Sequence, residues 1–157
     1  MSTIKHIAPA LFGIAFALSA GAGIAESTSH QGHAASELSL TLNGGAKWQG
    51  DDNMFKGMDA LRTAMATKLE VIHEDQLPAE DYNSLAATVL AQTDFMIEHC
   101  DLEPEVDEQF HRVLGQVIEG AFEMEEGSEP RAGAVMIIQA LNAYGEHFEH
   151  PGWKPLD

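Results

Sequence analysis

Four stretches of about 20 residues carry apolar side chains at every third or fourth position, the spacing of a one-sided helix. The first runs from about Asp51 to His73, with Met54, Met58, Leu61, Met65, Leu69 and Ile72 in its stripe. The second runs from about Ala79 to Cys100 and aligns Tyr82, Leu85, Val89, Met96 and Cys100. The third starts near Pro104 and aligns Val106, Phe110, Val113, Val117, Ala121 and Met124 before Gly127. The fourth follows Ser128 and aligns Val135, Ile138, Leu141, Tyr144 and Phe148. Each stripe has to be buried against other helices, and short connections make consecutive helices antiparallel. The expected fold is therefore all-α, an up-down-up-down four-helix bundle.

Local punctuation agrees with these segments. Asp51, Asp52 and Asn53 supply a cap for the first helix and complement its dipole. Pro78, Pro104 and Pro130 stand where prolines open helices, Ser128 offers a cap to the fourth, and Pro151-Gly152 forbids further helix. Ahead of the bundle, Leu38, Leu40 and Leu42 alternate with polar residues. They read as a short extended strap ending in the turn Asn43-Gly-Gly45, after which Lys47-Trp48 leads into the first helix. No other strand pattern competes.

The N-terminus reads as a secretory signal. Lys5 lies in a short polar opening, Ile7 to Leu18 is apolar, and Ala20-Gly-Ala22 and Gly23-Ile-Ala25 are small-residue cleavage sites. Cleavage is expected after Ala25, with Ala22 as the alternative. The apolar run is short for a bilayer span and holds Pro9 and Gly13. The chain divides into a signal at 1–25, a flexible tail and strap at 26–45, and the bundle at 46–157. The destination is the periplasm, with no membrane span after cleavage. His30 and His33 lie in the polar tail.

Asp and Glu number 25 against 8 Lys and Arg, a formal net charge of −17. That surface repels nucleic acid and anionic lipid and favours cations or a basic periplasmic protein. A homodimer is a further expected form. Cys100 is the only cysteine, so an exported chain must bury it, coordinate it or pair it with another molecule.

The up-down order gives the chemistry a location. The start of helix 1, the end of helix 2, the start of helix 3 and the end of helix 4 share one end of the bundle. They bring Met54 and Met58, His99 and Cys100, His111, and His147 and His150 to that end. Thiolate, thioether and imidazole suit copper best, then zinc, or haem iron through a His/Met pair. Cys100, His111, His150 and Met54 form the expected metal set, with His147, Met58 and His99 as further candidates. HExxH, CxxC, CxxCH, G-x-S-x-G and phosphate-loop motifs are absent from the sequence, so no catalytic residue is expected.

Two resemblances attach to particular residues. Phe110-His-Arg-Val-Leu-Gly-Gln-Val117, Glu126-Gly127, Asn142-Ala-Tyr144 and Asp52-Asn-Met54 resemble segments of the soluble periplasmic b-type cytochromes. That resemblance implies a four-helix bundle around non-covalent haem, with Met54 at the axial methionine position. The family's axial histidine directly follows the Asn-Ala-Tyr run, where this chain has Gly145, and His147 stands two residues on. Lys47-Trp48, Cys100-Asp-Leu-Glu-Pro104 with His111, and Tyr144-Gly145 through Phe148-Glu-His150-Pro-Gly-Trp-Lys154 resemble a family of small exported bacterial proteins, sometimes labelled DnrO-type. It implies no established activity, but it singles out Cys100, His111 and His150.

The functional expectation is a periplasmic transition-metal-binding protein that carries copper or transfers electrons through a Cys/His/His(/Met) site. The alternatives are a haem-binding electron carrier and a metal-free interaction or stress module.

Overall fold

The computed structural model describes residues 38–157. The expected signal at 1–25 and the tail histidines His30 and His33 lie outside the described residues. Four helices follow in order: α1 Asp52–His73, α2 Ala79–His99, α3 Pro104–Glu126 and α4 Pro130–His147. They form the all-α four-helix bundle.

A cap bond sets the start of α1, and prolines mark the starts of the other three helices. Asp51 is extended, and its carboxylate accepts the Met54 amide at 2.7 Å, so α1 begins one residue after it. The C-cap of α2 is Cys100, which turns extended at ψ 140 and ends the helix at His99. At α4 the cap position falls on Glu129, not Ser128, because Pro130 takes the first helical turn. Neither Pro78 at α2 nor Glu129 at α4 makes a side-chain cap bond.

The expected stripes of α1 and α3 are buried throughout, apart from half-buried Leu69. The buried face of α4 is wider than the expected stripe. Ile138, Leu141, Tyr144 and Phe148 are buried as expected, Gly133, Ala134, Ile137 and Ala140 are buried beside them, and Val135 is only half-buried. The cause is a close approach between helices. A Cβ on Gly133 would lie 2.4 Å from the Gly120 carbonyl, and one on Gly120 would lie 2.6 Å from the Gly133 carbonyl. Two glycines let the α3 and α4 backbones touch, and that contact widens the buried face of α4.

Phe148 also departs from the helical expectation. It leaves α4 and forms β2 (Phe148–Glu149), which pairs in parallel with β1 (Trp48–Gln49), Trp48 opposite Phe148. Two residues are too few for alternation to show in a sequence. Phe148 nonetheless stays fully buried, stacked on Tyr144 at 4.9 Å and edge-on to Phe110 at 5.9 Å.

Both ends of the described residues are strapped down. The turn Asn43–Ala46 uses Gly44 and Gly45 at φ 58 and 94, which a side chain would strain. The Thr41 amide donates to Gln109 Oε1 at 2.9 Å, and the Trp48 indole N–H donates to the Thr41 carbonyl. At the C-terminus, the Asn142 amide side chain bonds both the N–H and the C=O of Leu156 at 2.8 Å. Among the described residues no helix is long and apolar enough to cross a membrane.

Candidate functional site at one end of the bundle

Asp51 holds this end together. One carboxylate oxygen takes the Met54 amide and the other takes the Asp101 amide, both at 2.7 Å. It also accepts the Cys100 thiol proton. Asn53 adds a bond to the His99 carbonyl at 2.7 Å. One acidic side chain therefore joins the start of α1 to the end of α2. The sequence signals only its capping role.

The same carboxylate sets the chemistry of Cys100. The thiol is half-buried, and its pKa is pushed up to about 12, by burial first and then by Asp51 and Asp107. Such a thiol is protonated and inert at neutral pH. Alkylation by iodoacetamide at pH 8 should be at least on the order of 100-fold slower than for a free thiol, since only thiolate reacts. The thiol count after timed quenching checks this, and Asp51→Asn should speed the reaction.

His150 is the buried imidazole of the site, its side chain 3% exposed. Nδ1 meets the Tyr144 hydroxyl at 2.9 Å, and Nε2 lies 3.4 Å from Asp59 Oδ1. The tautomer satisfying both contacts has Tyr144 donating to Nδ1 and Nε2–H facing Asp59. Phe55, Tyr144 and Trp153 surround the ring at 4.7, 5.8 and 5.0 Å. Burial holds the Tyr144 phenol well above its ordinary pKa, helped by the negative charge of Asp59 and by Cys100. Tyr144 thus bonds the imidazole and lies within electrostatic reach of the thiol. It reads as core in the stripe of α4, and Asp59 reads as one more solvated acid.

The other candidates are placed differently. Met54 and Met58 are fully buried. His111 is exposed, its Nδ1 bonded to the Asp107 carbonyl at 3.0 Å and near Asp107 Oδ1 at 3.2 Å. His99 and His147 donate from Nδ1 to the Phe95 and Ala143 carbonyls, each at 2.8 Å. In all three the ring is fixed and Nε2 is left as the free nitrogen, the arrangement common behind metal-bound histidines. It is also what any helical histidine gains by bonding the carbonyl four residues back. His111 belongs to this end through Asp107 but is turned outward from Cys100 and His150. Among the described residues, no three His, Cys, Asp or Glu side chains are grouped to hold a metal ion.

Gly145, at the cytochrome-like axial position, has a packing reason. A Cβ there would lie 2.3 Å from Cδ1 and Nε1 of Trp153. The indole fills the space that an axial side chain would need. Lys47 caps the same spot from outside, its Nζ donating to the Gly145 carbonyl at 2.7 Å. No family model, curated protein or solved structure matches the chain.

Proposed function

We propose that the protein is an exported, periplasmic transition-metal-binding protein, taking copper ahead of zinc, that carries the ion and does not act as an enzyme. One observation supports this reading. His150 bonds Tyr144, whose ionisation also senses Cys100, while Asp51 and Asp107 act on Cys100 and Asp59 faces His150. A soft donor and a borderline donor thus share an acidic end that favours a cation. Binding at Cys100 must displace the thiol proton from Asp51, so affinity should rise with pH. Met54 borders the same carboxylate through its amide. His111, His147 and His99 offer outer Nε2 atoms to an incoming ion.

The test is to purify the protein, record its absorption spectrum and measure copper, zinc and iron. Cu(I) is then titrated against a competing chelator. Cys100→Ser and His150→Ala should each weaken Cu(I) by about 100-fold, while His73→Ala at the other end should leave it unchanged. A metal-free protein that takes up no Cu(I) overturns the reading. An intense Soret band would point to the haem carrier instead.

A second reading is favoured by a specific observation: Cys100, His111, His150, His147 and His99 each already bond a protein group. In a metal-free interaction module those contacts are structural and the acidic faces meet a basic partner. That reading expects Cys100→Ser to bind its partner as the unaltered protein does.

A further inference from the structure

The opposite end of the bundle holds a cavity of about 510 Å³, where α1 and α3 end and α2 and α4 begin. Tyr82 forms part of its wall and is 3% exposed, yet its hydroxyl finds no hydrogen-bond partner among the described residues. A buried hydroxyl normally has a partner, and leaving it without one costs roughly 1–3 kcal/mol. Burial raises the pKa of this phenol; Asp75, which raises it further, and Arg131, which lowers it, also line the cavity.

The other donors converge on the same place. Arg131 uses two N–H groups on the Ile72 and His73 carbonyls, at 2.9 and 3.3 Å. A guanidinium has about five such donors, so others remain. Both α2 and α4 begin here with no side chain bonded to their first amides. Helix starts with open amides favour negative charge. Leu77, Ala79 and Pro130 give the cavity an apolar side.

Two carboxylates oppose an anion. Asp75 sits 3.8 Å from Arg131 Nε, beyond hydrogen-bond reach, with its side chain 76% exposed. An exposed pair of that length is worth little and is easily displaced. Glu129 is exposed, and its amide is held by Glu123 Oε1 at 3.3 Å.

We propose that this cavity binds a small organic carboxylate with an apolar body. The carboxylate meets the Tyr82 hydroxyl, the Arg131 guanidinium, the first amide of α2 and, since Pro130 has no N–H, the Arg131 amide of α4. The body lies on Leu77, Ala79 and Pro130. The site stands apart from the metal reading, which concerns the other end.

Calorimetric titration of the protein with octanoate tests it, with octylamine and inorganic phosphate as comparators. Octanoate should give saturable heat. Tyr82→Phe should weaken it about tenfold, equivalent to about 1.4 kcal/mol, and should raise the melting temperature of the free protein, because the lost hydroxyl was buried without a partner. Arg131→Gln should weaken it as well, its melting measured alongside. Absence of saturable heat, an unaltered affinity in Tyr82→Phe, or tighter binding of octylamine overturns the proposal. Phosphate binding as tight as that of octanoate overturns the apolar-bodied ligand.

Discussion

Gly133→Ala is expected to destabilise the protein by about 3 kcal/mol, the upper part of the usual range for overpacking. The new Cβ would lie 2.4 Å from the Gly120 carbonyl, 2.8 Å from the Met124 amide nitrogen and 3.0 Å from the Glu123 Cβ. The two nearest of these are backbone atoms, so no rotamer change relieves the contact. The helices must separate along their whole seam, and Ile137 would lose its seat against Gly120. Gly115→Ala is the internal control, since nothing lies within 4 Å of its would-be Cβ. That exchange should stabilise α3 by about 1 kcal/mol through helix propensity alone. Denaturant midpoints of the two variants should move in opposite directions. Equal shifts would show that the α3–α4 contact is looser than described.

Tyr144→Ala should cost still more, about 4 kcal/mol, as for other buried aromatic truncations. Tyr144 is fully buried and touches Phe110, Phe148, His150 and Trp153. Truncation opens a cavity in that aromatic group and leaves His150 Nδ1 without its partner. Tyr144→Phe separates the two losses, because the ring stays and only the hydroxyl goes. It should cost about 1–2 kcal/mol, the penalty for one buried polar atom left unpaired. A melting shift of about 10 °C or more for the alanine variant, against a few degrees for phenylalanine, is the expected pattern. If both fall equally, the hydrogen bond outweighs the packing.

The architecture could be read from the sequence because four amphipathic stripes and their proline punctuation all pointed to a bundle. Periodicity reports which face of a helix is apolar. It does not report which neighbour comes closest, so the backbone contact of α4 with α3 at Gly120 and Gly133, and the wider buried face it brings, were hidden. The β1–β2 pairing was hidden too, since two residues leave no alternation to read. At the site, helix order alone places Cys100, Met54 and His150 at one end. Side-chain direction is a finer matter. His111 shares that end yet turns outward onto Asp107. Asp51 looks like a plain cap and Asp59 like surface charge, because a carboxylate's partner across the fold leaves no trace in local spacing. Gly145 becomes intelligible only once Trp153 is seen against it.

The pairing of Trp48 with Phe148 joins residues one hundred positions apart. Three of the helix contacts, α1 with α2, α2 with α3 and α3 with α4, join neighbours in the chain. Closing so long a loop is entropically slow compared with docking consecutive helices. The seam is therefore expected to form after the consecutive helices have docked. Opening it would lift the chain that carries Phe148 and His150 away from the first strand. Were the seam to part before the helices separate, the rate at which a solute meets the buried imidazole would be set by that local unfolding, and hydrogen exchange at the Phe148 and Glu149 amides would report it.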